Sequence, residues 1–143
     1  MIEELIADIC DFLEIEEPNV SYDESVFLTP TTMAQCDLEG PTIYLRPIDK
    51  INPDYVFAVI HELRHIWQMQ AHPNKYFGSY RPVNLCSSIE EYNLQLAEVD
   101  ANAFASVIMT ELWSMKPQWN GLSKKVVSEI EKRTTLLAQT LFD

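Results

Sequence analysis

Three kinds of residue are scarce in this sequence, and each shortage excludes a class of protein. The 143 residues include three cysteines, three glycines and ten basic side chains. Cys10, Cys36 and Cys86 are widely spaced and form no C-x-x-C pair. This argues against a thiolate metal site or a redox pair and is typical of a reducing compartment. With so few glycines, the chain contains no glycine-rich phosphate loop.

The shortage of positive charge bears on the partners of the protein. Ten basic against 22 acidic side chains give a formal net charge of −12. Such a field repels nucleic acid and anionic lipid and favours a basic partner or substrate. No apolar run approaches the length of a membrane span, and the chain begins with acidic residues where a secretory signal would begin with basic ones. We therefore expect a cytoplasmic protein that binds no nucleic acid and no membrane.

The remaining composition is that of an ordinary globular chain, with 47% hydrophobic and 22% charged residues. Its length suits one domain over residues 1–143. Apolar periodicity, ended by proline or glycine, predicts helices over residues 2–16, 53–71, 89–115 and 122–141. Asn52 is the predicted cap of the second helix, and Pro53 fits its first turn. Residues 72–88 are predicted to form a loop.

The β-structure is predicted to lie between the first two helices. Residues 19–30 alternate weakly and predict a strand, either continuous or with a break. The run TTMAQCDLEGPTIYLRP predicts two short strands around a turn at Glu39–Gly40. The second strand, Thr42–Leu45, is flanked by Pro41 and Pro47, a pattern typical of an edge strand. Together with the helices, these strands predict an α+β fold.

The pentapeptide HELRH, residues 61–65, is the strongest candidate for chemistry. On a helix, His61 and His65 lie one turn apart on the same face, so both imidazoles can bind one metal ion. Glu62 lies beside that pair and can act as general base on a metal-activated water. The flanking residues are apolar nearly all round, so we expect a buried helix, in which a metal would satisfy all three polar groups.

A catalytic zinc ion needs a third protein ligand and an open fourth position. Glu98 is the candidate, because it lies on the next long predicted helix beside alanines 97, 101 and 105, which would allow close helix packing. Asp100 is the rival ligand; it lies about 200° further around that helix, so both carboxylates cannot face one ion. Asn102, one turn after Glu98, can hydrogen-bond a ligand histidine and fix its tautomer.

The HExxH helix followed by the run EVDANAFA resembles the gluzincin metallopeptidases, in particular their small intracellular and phage-associated members. The resemblance implies a minimal zincin-like domain, in which a small twisted, mostly antiparallel sheet packs on an active-site helix and a glutamate-bearing helix, with N- and C-terminal helices. It implies that His61, His65 and Glu98 bind Zn²⁺ and that Glu62 is the general base of peptide-bond hydrolysis. The PTIYLRP strand would then be the edge strand that pairs with an extended substrate.

The transition state of this reaction also needs a hydrogen-bond donor for its oxyanion. The candidates lie in or near the loop between the two ligand helices, and the sequence does not choose among them: Tyr76, Tyr80 and Tyr92, with His72 and Arg81. We expect a peptide or protein substrate, with one dedicated partner a better match to so short a chain than general digestion. The alternative is a catalytically weak or inactive zinc-binding protein of bacterial or phage origin that regulates or binds a partner. A structural α+β protein without metal is a third interpretation.

Overall fold

The computed structural model describes residues 1–141. This part of the chain contains six α-helices and one three-stranded sheet, which confirms the predicted α+β class. The chain forms two compact units, Met1–His72 and Pro73–Asp143. One domain over residues 1–143 stays a prediction. Among the described residues, no helix combines the length and the apolar character required to cross a bilayer.

The first unit contains two helices and the sheet. Its elements are α1 (Ile2–Leu13), β1 (Asn19–Ser21), β2 (Ala34–Asp37), β3 (Thr42–Leu45) and α2 (Pro53–Ala71). Helix α2 packs against α1, β2 and β3, so it runs through the core of this unit. The strand predicted over residues 19–30 is wrong beyond Ser21, since a short 3-10 turn, Glu24–Val26, follows it.

Helix α1 forms because apolar side chains recur along one face with acidic residues between them. It ends at Leu13, three residues before the predicted boundary, and Glu14 then adopts a left-handed conformation with φ 57°. The amide of Ile15 then bonds to the carbonyl of Cys10, which closes the helix end. The buried residues of α1 are Ile2, Ile6, Ile9, Cys10 and Leu13.

Helix α2 has the predicted boundaries, because local signals specify both of its ends. At the start, the Asn52 side chain accepts a hydrogen bond from the Tyr55 amide at 3.0 Å, and Pro53 occupies the first turn. At the other end, Pro73 follows Ala71 by two residues and does not continue the helix. The fully buried apolar side chains of α2 are Val59, Ile60, Leu63 and Ile66.

The sheet has the strand order β1-β3-β2, which places β3 in the centre. The turn predicted at Glu39–Gly40 is confirmed, because β2 and β3 pair in antiparallel fashion on either side of it. Strand β1 pairs with β3 in parallel, with Asn19 opposite Thr42. The sheet is therefore mixed, and the prediction of a mostly antiparallel sheet with β3 at its edge is wrong. Pro41 and Pro47 lie outside β3, so all four strand residues keep the N–H groups that a central strand needs.

The second unit is helical over its described residues. Its helices are α3 (Pro73–Phe77), α4 (Ile89–Asn93), α5 (Leu96–Trp113) and α6 (Lys124–Leu141). Helix α5 packs against α3, α4 and α6 and is buried nearly all round. The loop predicted over residues 72–88 contains α3 and a 3-10 turn, Val83–Leu85, and the last helix begins two residues later than predicted.

The helix predicted over residues 89–115 is two helices, because the chain leaves the helical conformation at Gln95. That residue has φ −63° and ψ 143°, and its side chain binds the backbone of Arg81. The Gln95 amide oxygen accepts from the Arg81 amide at 2.7 Å, and the Gln95 amide nitrogen donates to the Arg81 carbonyl at 2.9 Å. This pairing with a distant segment stabilises the break, and Glu98 consequently lies in the first turn of a new helix.

Candidate metal and catalytic residues

Helix α2 places the two histidines of the motif side by side. Their Nε2 atoms, on His61 and His65, are 3.1 Å apart, and the two rings meet edge to face. Two nitrogens bound at about 2.0–2.1 Å to one tetrahedral zinc ion lie roughly 3.3 Å apart. The pair therefore has nearly the spacing that a single ion requires.

Gln68 determines which nitrogen of His65 carries the proton. Its Oε1 atom lies 2.8 Å from His65 Nδ1, and its side chain is fully buried. An amide oxygen only accepts hydrogen bonds, so Nδ1 donates and Nε2 directs its lone pair toward His61. This is the tautomer of a histidine that binds metal through Nε2. Sequence reasoning missed Gln68; the available signal was a polar residue three positions after His65 on a helix expected to be buried.

The carboxylate of Glu62 contacts a cysteine of the sheet. The Cys36 thiol, on β2, donates to Glu62 Oε2 at 3.6 Å, and both side chains are half-buried. The contact follows from the packing of α2 on β2. Sequence reasoning missed it, because the register of a strand against a helix has no local signal. The predicted base is therefore hydrogen-bonded to a neutral donor within its own unit.

The two residues inside the motif, Leu63 and Arg64, are both buried. The guanidinium of Arg64 lies 3.7 Å from the centre of the Trp67 ring on the same helix. Stacking on an aromatic face lets an arginine charge lie in a largely apolar environment. The charge that interrupts the otherwise apolar helix therefore has an aromatic partner one turn away.

In the second unit, Glu98 is 4% exposed and accepts a hydrogen bond from the Tyr80 hydroxyl at 2.9 Å. The Tyr92 hydroxyl lies 2.9 Å from that of Tyr80. Because an ionised carboxylate can only accept, Tyr80 donates to Glu98 and Tyr92 donates to Tyr80. Burial, with the nearby Glu98 charge, raises the pKa of Tyr80 far above its ordinary value. Tyr80 therefore keeps its proton and remains a donor at neutral pH.

Asp100, the rival ligand, is fully buried in an ion pair with Arg133 of α6. Its Oδ1 atom lies 2.9 Å from the Arg133 Nε atom and 2.8 Å from a terminal nitrogen of the same guanidinium. That guanidinium also donates to the Tyr76 hydroxyl at 2.9 Å. Tyr76 is thus a neighbour of the Asp100–Arg133 pair, whereas Tyr80 and Tyr92 are neighbours of Glu98.

The second unit also contains Asn102, half-buried on α5 one turn after Glu98. Its bond to a ligand histidine stays a prediction, as do the roles of Glu62 and the three tyrosines. The residues that carry the gluzincin resemblance lie on α2 and α5, where the sequence predicted helices. Comparison with protein-family models, curated proteins and solved structures finds no match to the chain, and a zincin-like identity stays a prediction.

Proposed function

We propose that the protein is a zinc-dependent peptidase in which His61, His65 and Glu98 bind one zinc ion. The observation that carries the proposal is the imidazole pair, whose Nε2 atoms are 3.1 Å apart and in which Gln68 holds His65 in the ligand tautomer. The donor set of two imidazoles and one carboxylate is one that catalytic zinc sites use.

The choice of Glu98 over Asp100 is supported by the partners of the two carboxylates. Asp100 forms a two-point ion pair with the Arg133 guanidinium, and removing either partner of such a buried pair is costly. Glu98 instead accepts from the Tyr80 hydroxyl. That donor is neutral, so the contact does not compensate the negative charge of the carboxylate. An ionised carboxylate has about four lone-pair sites, so the Tyr80 bond is compatible with metal binding.

Glu62 is the proposed general base. A zinc ion held by the three ligands would lower the pKa of a coordinated water to about 7 and polarise the scissile carbonyl. Glu62 follows His61 directly on α2, and its carboxylate takes a proton from water and delivers it to the amine leaving group. The Cys36 thiol is a weak donor, so its contact orients the carboxylate without neutralising it.

Tyr80 is the proposed positioning residue of the third ligand. Its hydroxyl donates to Glu98, and its raised pKa keeps it protonated. Tyr92, through its bond to Tyr80, restricts the direction in which Tyr80 donates. The pair supports the carboxylate of Glu98 in the way that outer hydrogen bonds orient metal ligands.

The proposed substrate is an extended peptide or protein segment bound at the outer edge of β2. Strand β2 rather than β3 lies at the edge of the three-stranded sheet. It also carries Cys36, whose thiol contacts Glu62, so the strand lies beside the proposed base. Main-chain hydrogen bonds to an edge strand bind peptides with little dependence on sequence. In this proposal β2, rather than β3, is the edge strand that binds the substrate of a zincin-like domain.

The experiment that tests this function combines metal analysis with one conservative substitution. Protein never exposed to nickel resin is analysed by elemental mass spectrometry and should contain one zinc ion per chain. Glu62→Gln should retain that zinc while peptide hydrolysis falls by about 10²–10⁴-fold, the contribution of a general base. Wild-type protein without stoichiometric metal refutes the proposal, and a Glu62→Gln protein of unchanged activity refutes the role of Glu62.

One contact favours a second candidate function, a zinc-binding regulatory or interaction protein with weak or no catalysis. The Cys36 thiol occupies a hydrogen-bonding position on the carboxylate that would have to accept a proton. Zinc-loaded wild-type protein that cleaves no member of a broad peptide library supports this function. A Cys36→Ala protein that gains activity in the same library would show that the thiol restrains the base.

A further inference from the structure

A groove of about 420 Å³ in the first unit begins beside the proposed catalytic residues. One wall is a single face of α2, which presents Asp54, Phe57, Ala58, His61 and Glu62. These positions follow the i, i+3, i+4, i+7, i+8 spacing of one helical face. The other wall is residues 31–34, which lead into β2. The groove therefore runs along α2 from the histidine pair toward the N-terminus of the helix.

The groove changes character along its length. From His61 to Asp54 the helix covers seven residues, or about 10 Å along its axis. The middle is lined by Phe57 and Ala58 on the helix and by Met33 opposite, which are apolar and half-buried. The far end carries the exposed carboxylate of Asp54. A side chain with an aliphatic stem and a cationic head fits an apolar surface that is followed by a carboxylate, because its stem can lie on apolar groups while its charge stays in water.

The charge at the far end of the groove has no partner within the described residues. Asp54 lies in the first turn of α2, and in residues 1–141 its carboxylate forms no ion pair and accepts no side-chain hydrogen bond. The chain as a whole carries a net charge of −12, which attracts cationic ligands. An acidic substrate side chain would be repelled at this position. An apolar side chain of the same length would form no ion pair with the Asp54 carboxylate.

We infer that this groove is a subsite for a basic side chain, lysine or arginine, of the peptide substrate, and that Asp54 is the residue that determines this specificity. The inference rests on the proposed peptidase function, since it assigns the groove to the substrate of that site. Phe57 and Met33 bind the aliphatic stem and Asp54 pairs with the charged head. Exposed ion pairs are weak, so we expect a preference of about two- to fivefold for lysine over an uncharged side chain of equal length.

The test measures binding separately from cleavage. Fluorescently labelled peptides carry lysine, norleucine or glutamate at one position, and that position is moved along an otherwise constant sequence. Binding is followed by anisotropy with the full-length, zinc-loaded Glu62→Gln protein. At one position, the lysine peptide should bind tightest and the glutamate peptide weakest, and raising the salt concentration should reduce the difference.

Two further substitutions in the same background assign the effect to one residue. Asp54→Asn should bring the ratio of lysine to norleucine affinities to about one, and Asp54→Lys should favour the glutamate peptide. Asp49→Asn is the matched control, because Asp49 is exposed, precedes the same helix and lies outside the groove lining. An equal loss of preference in Asp49→Asn, or no preference for lysine at any position, overturns the inference.

Cleavage of the same peptides by the wild-type protein separates the two proposals. Cleavage without a lysine preference refutes the subsite and leaves the peptidase function standing. A lysine preference in binding that depends on Asp54, in a protein that cleaves no peptide, refutes the peptidase function and supports the groove as a binding site for basic side chains.

Discussion

At the scale of single residues, the partner of each acidic side chain decides what that side chain can do. Glu62 accepts from a thiol and Glu98 from a tyrosine, and both donors are neutral. Asp100 is paired with a guanidinium, which compensates its charge. A neutral donor orients a carboxylate without compensating its charge, so the carboxylate can still bind a proton or a metal ion. A cationic partner compensates that charge, and the ion pair then contributes to the stability of the fold. We therefore expect the three acids to differ in role, although each lies on a buried helix.

Substitutions of Glu98 and Asp100 should affect different properties. Glu98→Gln should weaken zinc binding by more than about 100-fold, since even an outer hydrogen-bond partner of a ligand contributes 10–100-fold. Asp100→Asn should leave zinc affinity nearly unchanged but cost about 3 kcal/mol in free energy of unfolding, because Arg133 loses its charge partner. A chelating dye in competition measures the affinity, and urea unfolding measures the stability. The reverse pattern would identify Asp100 as the ligand.

Gln68 should contribute to zinc affinity through the orientation of His65. Gln68→Met has similar volume but no acceptor for the Nδ1 hydrogen, so zinc affinity should fall by about 10–100-fold. Gln68→Glu retains an acceptor and should retain most of the affinity. Unfolding curves of both variants control for loss of structure, since the side chain is fully buried. Wild-type zinc affinity in Gln68→Met would show that the bond serves only the packing of α2.

At the scale of elements, sequence prediction was accurate where the determinants are local. Helix α2 was predicted in full because Asn52, Pro53 and Pro73 specify its ends, and the histidine pair follows from helical spacing alone. The break before α5 was not predicted, because it depends on Gln95 binding the backbone of Arg81, 14 residues earlier. The central position of β3 likewise depends on a parallel pairing with a distant strand.

The same distinction between local and distant determinants applies to the residues and contacts of the candidate site. Sequence reasoning named Glu62, Glu98 and three tyrosines, but it offered no means of choosing which tyrosine meets the carboxylate. That choice depends on tertiary packing within the second unit: Tyr76, on α3, meets Arg133 of α6. Tyr80, in the segment after α3, meets Glu98 of α5. The Cys36–Glu62 contact depends on the packing of a helix against a strand, so local sequence patterns do not predict it either.

The packing of α1 predicts a dependence of stability on alkaline pH. Burial raises the pKa of the Cys10 thiol from 9.0 to about 11. Between these values the unfolded chain binds fewer protons than the folded one, so stability is full below pH 9 and falls as the pH rises, by at most about 1.4 kcal/mol per pH unit. Cys10→Ala should remove this part of the slope in urea unfolding from about pH 8 to about pH 11. Cys86→Ala, which removes a thiol outside the first unit, is the matched control, and an equal change of slope in that variant would contradict the assignment to Cys10.

At the scale of the whole molecule, zinc binding should be visible as stability. A ligand that binds only the folded chain adds about 2.7 kcal/mol at a free concentration 100 times its dissociation constant. The unfolding temperature should therefore rise with zinc and fall with a chelator, and Glu98→Gln should lose most of the response. Magnesium is the control, because two imidazoles are poor ligands for it. Equal responses to both metals would indicate non-specific binding to a chain of net charge −12.

The parallel pairing of β1 with β3 has a consequence for the order in which the first unit folds. Asp37 and Thr42, paired in the β2–β3 hairpin, are five residues apart, whereas Asn19 pairs with Thr42 across 23 residues. Loop-closure entropy makes the longer connection cost about 1.4 kcal/mol more. We therefore expect the hairpin to form first and β1 to dock onto it, and we expect opening of the sheet to begin at β1. Hydrogen exchange should be faster in β1 than in β3.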